Sequence, residues 1–253
     1  MHQLHVLSNV FRRAQKLKLV PLGHNPVWAL MEKPAIARTE ATWLEVPAAA
    51  LVLEAARCYQ SGNPARAYSF LYPLVATFLL TGGRADEVLG LRVEDVSFHR
   101  KTVRFCPTPF RRGRQGKTAH AERILPLWPQ LAEILGEHLV TRPPAQLLFP
   151  AWAKASDGRL LERRVGDLRK QLGSIARLAG LAPETLTTKV FRHTYCSARL
   201  ATLDRGEPVS LDVVRREMGH GDEGLVRRVY GHMGQVRHGR RRSSIGSCSR
   251  KRR

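Results

Sequence analysis

The chain has 253 residues, 43% of them hydrophobic, and its 42 Lys+Arg against 21 Asp+Glu give a formal net charge of +21. That length holds one large domain or a domain plus a fragment, and the apolar share supplies a proper core, which excludes a disordered or low-complexity chain. The charge favours a polyanionic partner, with nucleic acid ahead of an acidic membrane. Cys58, Cys106, Cys196 and Cys248 are widely spaced with no C-x-x-C pair, so neither a zinc site nor a disulfide framework is indicated and a reducing cytosol fits best. The N-terminus has no signal-peptide pattern.

In chain order, Val6, Leu7, Val10, Phe11, Ala14 and Leu17 recur at helical spacing, which predicts a helix over Val6 to Val20 ended by Pro21, Gly23 and Pro26. Met31 to Glu45 has little periodicity and reads as a linker, after which the Ala/Leu-rich Pro47 to Cys58 is helical; the main domain starts near Ala41. The longest apolar run, Tyr68 to Leu80, is too short to span a bilayer and contains Pro73, which predicts a buried helix with a kink or early break. Thr81-Gly82-Gly83 interrupts the chain, and Asp86 to Leu91 resumes a helical pattern. Three β-like runs follow: Arg92 to Val96, Thr102 to Phe105 with Val103 and Phe105 on one face, and Arg123 to Leu127. The last two are joined by a basic loop, Pro107 to Glu122, long enough to reach a ligand. Helices are predicted over Leu131 to Val140, Val165 to Ala179, Val190 to Leu203, Leu211 to Met218 and Glu223 to Tyr230. The expected fold is mainly α with a small three-stranded antiparallel sheet, and the end from 237 to 253 (RHGRRRSSIGSCSRKRR) is expected to be a basic, disordered, phosphate-seeking tail.

Three strings carry groups suited to phosphate chemistry. TGGRADEVLGLRVEDV, Thr81 to Val96, places Arg84 after two glycines at a helix start, with Glu87 one turn on and able to orient it. By itself an R-x-x-E spacing is an ordinary surface ion pair. TTKVFRHTYCSARL, Thr187 to Leu200, sets Lys189, Arg192 and His193 within one turn behind a threonine cap, either an anion site or a merely basic helix start. EMGHGDEGLVRRVYGH, Glu217 to His232, sets His220 on a Gly-flanked turn and Tyr230 a short helix later; a tyrosine there is by itself ordinary core or rim. GRQGKT is not a nucleotide P-loop, because glycine would be needed where Arg111 stands and a strand rather than a helix follows.

The order and spacing of these strings resemble the conserved boxes of the tyrosine recombinase, or phage integrase, family, and RRGRQGKTAHAERILPL resembles the β-hairpin that carries the family's catalytic lysine. The resemblance implies a DNA breaking-rejoining catalytic fold over 41–236, with 1–40 the remnant last helix of a core-binding domain plus linker. It implies site-specific recombination or integration through a covalent 3′-phosphotyrosine. Arg84 and Arg192 match the two arginines that clamp the scissile phosphate, Tyr230 the nucleophile, Lys117 the general acid, and His220 the histidine that hydrogen-bonds the phosphate. Glu87 matches the supporting acidic residue and His193 a histidine with a structural role.

Lys189 stands where the family's second box usually begins with histidine. Lysine is cationic at neutral pH, so its expected role is electrostatic, with His220 or water taking the tyrosine proton. Double-stranded DNA and a homo-oligomer, a tetramer on DNA, are the implied partners, in the bacterial cytosol or nucleoid, with no metal, nucleotide or other cofactor and no membrane. A DNA-binding remnant without strand exchange is the alternative expectation. Type I topoisomerases of the B subclass use the same chemistry and rank behind both.

Overall fold

The computed structural model describes residues 2–30, 41–61, 69–106, 122–204 and 206–219. Residues 31–40 of the predicted linker, residues 107–121 of the predicted loop, the predicted helix from Glu223 to Tyr230 and the tail from 237 lie outside them. By its internal contacts the chain divides into two compact units, Met1–Glu40 and Ala41–Arg253.

In the first unit, helix α1 (His2–Lys16) starts and stops a few residues earlier than its periodicity predicts. The chain after it folds back: Asn25 Nδ2 donates to Ser8 Oγ at 3.0 Å, its Oδ1 accepts from Val27 N at 3.1 Å, and His24 meets the edge of Phe11 with centroids 5.9 Å apart. Val6, Val10 and Leu17 remain exposed.

The second unit is built around α3 (Leu71–Thr81), which packs on α2 (Val46–Ser61), α5 (Pro129–Thr141) and α7 (Thr188–Leu200). Leu71, Leu74, Val75 and Phe78 of α3 are wholly or almost wholly buried, and Phe78 stacks on Phe191 of α7 at 5.7 Å. Pro73 neither kinks nor breaks this helix. It lies in the first turn, where its missing N–H would have no intrahelical acceptor. The buried hydroxyls of Thr77 and Thr81 donate back to the carbonyls of Pro73 and Thr77, at 2.7 and 2.6 Å, so an apolar core carries them without an unmet donor.

After the short helix α4 (Ala85–Val88) comes the predicted three-stranded antiparallel sheet, in order β1 (Val96–Ser97), β2 (Thr102–Phe105), β3 (Arg123–Pro126). Its first strand is shorter than predicted. Asp95 Oδ2 accepts from the Arg92 amide at 2.9 Å, which winds Val93–Asp95 into a 3-10 turn and leaves only two residues to pair. Val103 and Phe105 point into the core as expected, opposite Leu125 and Arg123.

Two hairpins were not expected from the sequence: β4 (Pro150–Lys154) with β5 (Leu160–Arg164), and β6 (Leu203–Asp204) with β7 (Glu207–Pro208). Helix α6 (Arg169–Leu178) begins later than predicted, and α8 (Leu211–Met218) has the predicted bounds. Ser210 caps α8 by accepting from Val213 N at 3.3 Å, and Gly219 ends it at φ +61. Among the described residues no helix is long and apolar enough to cross a membrane.

Candidate active site

Four elements converge at the C-terminal end of α8: the turn between α3 and α4, the start of α7, β3, and α8 itself. The turn depends on two glycines. Gly82 is left-handed (φ +59) and closes α3 with its N–H on Phe78 O at 3.0 Å, and a Cβ there would lie 2.5 Å from the Tyr195 ring. A Cβ on Gly83 would lie 2.5 Å from a Val88 methyl. Arg84 is thereby delivered to the start of α4. Its amide donates to Glu87 Oε2 at 2.8 Å and its Nη1 to Glu87 Oε1 at 2.9 Å.

Helix α7 starts where Thr187 accepts from Val190 N at 3.2 Å. Lys189 is exposed in its first turn, and Arg192 and His193 follow half-buried. Burial, reinforced by the charges of Lys189 and Arg192, lowers the His193 pKa and favours the neutral ring.

The last carbonyls of α8 have no intrahelical donors and carry the negative end of the helix dipole. Three successive ones each receive a guanidinium. Arg123 Nε donates to Glu217 O at 2.8 Å, Arg192 Nη2 to Met218 O, and Arg84 Nη2 to Gly219 O at 2.9 Å. Arg192 Nη1 also reaches Gly82 O at 2.7 Å, tying α7 to the glycine turn.

The helix end is held from the side as well. The Glu217 carboxylate accepts from Tyr195 Oη at 2.9 Å and from Arg199 Nε and Nη2 at 2.9 and 2.7 Å. Burial and then the Glu217 charge push the Tyr195 phenol well above its usual pKa, so this tyrosine stays protonated.

Of the residues singled out by sequence, Arg84, Glu87 and Arg192 are brought onto this one helix end. Lys189 and His193 stand on the neighbouring turn of α7. Lys117, His220 and Tyr230 lie outside the described residues; His220 directly follows Gly219 in the chain. Among the described residues no group of three or more His, Cys, Asp or Glu gathers as a metal site. What the arrangement offers is two arginines aimed by backbone and carboxylate acceptors, with the Arg84 side chain 43% exposed and able to meet an anion.

The sequence pattern of the phage integrase family matches residues 52–235. The chain belongs to that family. An integrase of Staphylococcus phage L54a is 27% identical over 168 residues, which make up 61% of this chain and 45% of that protein, so the chain spans about half the length of this relative. Among solved structures, the Tn1549 transposon integrase in complex with circular intermediate DNA is similar at TM-score 0.64 and 17% identity, covering 95% of this chain and 78% of that one. The XerA recombinase is similar at TM-score 0.56 and 16% identity, with 92% and 72% covered. XerH bound to palindromic difH substrate, a post-cleavage complex, gives TM-score 0.57 and 22% identity, with 81% and 54% covered. These likenesses identify the fold as that of tyrosine recombinase catalytic domains.

Two further residues of the site, Arg123 and Glu217, belong to none of the candidate groups legible in the sequence, where Arg123 is the first residue of a predicted strand. Its side chain is 7% exposed, its Nη1 and Nη2 bind the two oxygens of Glu87 at 3.0 and 2.8 Å, and its guanidinium lies 4.7 Å from the centre of the Phe105 ring. Burial by itself would raise the Glu87 carboxyl, but the bonds and charge of Arg123, with help from Arg84, outweigh it and lower it to about 2. A signal was present: in R-I-L-P-L the period of two puts Arg123 on the face of Leu125 and Leu127, and a charge at an inward strand position demands a partner.

Proposed function

We propose that the chain cuts and rejoins double-stranded DNA by transesterification. Tyr230 Oη attacks a scissile phosphate; the new bond is tyrosine oxygen to phosphorus, and the bond to the 5′ oxygen breaks. The product is a 3′-phosphotyrosine and a free 5′-hydroxyl. The tyrosine proton leaves to His220 or water, and Lys117 protonates the departing oxygen. Arg84 and Arg192 neutralise charge building on the non-bridging oxygens, Glu87 holds Arg84 in aim, Lys189 adds electrostatic support, and His220 hydrogen-bonds the phosphate. Because the phosphotyrosine conserves the energy of the phosphodiester, a 5′-hydroxyl from another strand can reverse the step without ATP. Exchange between two duplexes calls for four active sites, a tetramer on DNA, working in the cytosol or nucleoid of a bacterium.

The observation that carries this reading is the pair Arg84 and Arg192, held on consecutive carbonyls at the end of α8, directly before His220 in the string that runs on to Tyr230. Fixed guanidiniums cost little reorganisation when charge develops between them. The test is covalent capture: the protein is incubated with nicked duplexes of randomised sequence, and denaturing electrophoresis compares wild type with Tyr230→Phe. A protein–DNA band that requires Tyr230 is the expected result. DNA retardation in a native gel with no covalent band for wild type would overturn the reading in favour of a DNA-binding chain without strand exchange.

A further inference from the structure

Three arginines meet the end of α8, yet they are not alike. The Arg84 side chain is 43% exposed, whereas that of Arg123 is 7% exposed and covered by Phe105. All three nitrogens of the Arg123 guanidinium are engaged, Nε on Glu217 O and the two Nη on the Glu87 oxygens. A buried arginine so committed cannot be a phosphate ligand. Each Glu87 oxygen accepts twice: Oε1 from the Nη1 atoms of Arg84 and Arg123, Oε2 from the Arg84 amide and Arg123 Nη2. The carboxylate therefore sits crossed between two guanidiniums, one facing solvent and one facing the core.

We infer that Arg123 is a positioning residue for the transesterification, gripping Glu87 so that Glu87 aims Arg84, and pinning the end of α8 against which Arg84 is aimed. The inference rests on the reading of Arg84 as a phosphate clamp. It also gives β3 a part in the site: the strand that follows Lys117 in the chain is tied by its first residue to the turn carrying Arg84.

A purely structural Arg123 would affect stability alone; a positioning one changes how Arg84 responds to pH. Among the described residues the charged groups facing Glu87 are Arg84 from its own turn and Arg123 from β3. Helix α8 presents the carbonyls of Glu217 and Gly219, with the Glu217 carboxylate bound to Arg199 and Tyr195, while the adjacent Asp86 is paired with Arg164. Without Arg123, burial acts on Glu87 with only Arg84 opposing it, so its carboxyl moves up towards the working range. Once protonated, it no longer offers Arg84 two anionic acceptors.

The experiment measures single-turnover adduct formation at saturating DNA across pH for wild type, Arg123→Gln and Arg123→Lys. The Arg84 Nε–H NMR signal, assigned by its loss in Arg84→Lys, and the melting temperature are recorded in parallel. Arg123→Gln is expected to acquire an acid limb, about tenfold slower per pH unit below the new Glu87 pKa, with DNA affinity within about threefold of wild type and a pH-dependent Arg84 signal. Arg123→Lys, which keeps a cation beside Glu87, is expected to regain the flat profile at a reduced rate. A rate profile of wild-type shape in Arg123→Gln, or an Arg84 signal unchanged in both variants, overturns the proposal. If wild type itself forms no adduct, the functional reading fails and the Arg84 signal decides this one separately. Should Arg123→Gln not fold, the signal is read in Arg123→Lys, whose single ammonium cannot hold both oxygens; an unmoved signal there overturns it.

Discussion

Gly82 shows how one residue serves both the backbone and the site. Its left-handed conformation ends α3, its missing side chain leaves room for the Tyr195 ring, and its carbonyl receives Arg192. Gly82→Ala must strain the backbone and push the ring, since the added carbon would lie 2.5 Å from Tyr195 Cδ1. We expect a loss of about 2–3 kcal/mol, read as a lowered urea midpoint. Any rate of adduct formation should fall with it, because the acceptor that aims Arg192 moves. At Arg84, substitution by lysine keeps the charge but not the fork that spans Glu87 and Gly219 O. Adduct formation is expected to drop by about 10²-fold with little change in stability, measured under single-turnover conditions.

At the scale of elements, the question is how a helix of eight residues, α8, is held firmly enough to serve as an anchor. Its own propensity is insufficient at that length. Val214 and Met218 bury its apolar side, and Glu217 binds Tyr195 and Arg199 of α7, with Arg199 also lying 5.2 Å over the Trp128 ring. The Arg199 and Glu217 side chains are only 14% and 11% exposed, so removing one strands the other. Glu217→Ala is expected to cost about 3 kcal/mol and to speed amide exchange in α8 ahead of α3; equal protection in both helices would show that α8 does not depend on this pair.

For the molecule as a whole, pH and salt act through different groups. His138 is buried on Phe149, with its Nε2 at 2.9 Å from Leu148 O; burial first, and Arg142 second, lower its pKa against the opposing hydrogen bond. A depressed histidine pKa means that the fold prefers the neutral ring. Stability is then complete above the unfolded value of about 6.5 and declines as pH falls through it. Glu87 has the same sign but lies lower: its contribution is present above the unfolded value of about 4.3 and is lost only on the way to about 2. Stability to denaturant should therefore decline between about pH 7 and 5 in wild type and decline less in His138→Gln, whose amide can still donate to Leu148 O, the remainder coming from His193, whose pKa burial also lowers. The net charge of +21 predicts that DNA affinity falls steeply with salt, the logarithmic slope growing by about 0.9 for each phosphate neutralised. A slope near zero would rule out the phosphate backbone as the main contact.

Much of this was legible without coordinates because it is local. The double glycine ending α3, the Thr187 cap, the bounds of α8 and the inward face of β2 follow from residues within a few positions of one another. Where local signals compete, the reading failed: Arg92 to Val96 has strand-like residues, but the Asp95 side chain captures the Arg92 amide and winds a turn. In the hairpin of β4 and β5 only Pro150 is buried, so neither strand carries the buried-exposed alternation that marks a strand. The proposed membership of the site rests on the order of Arg84, Arg192, His220 and Tyr230 along the chain. Its geometry was not, because the groups that aim the arginines are backbone carbonyls at 82, 217, 218 and 219, and every residue has a carbonyl. Only packing determines which of them lose their helical partners beside a guanidinium. Arg123 joined the site for the same reason: it lies 36 positions from Glu87 and 94 from Glu217, and burial of that strand face sets its charge against the Glu87 carboxylate.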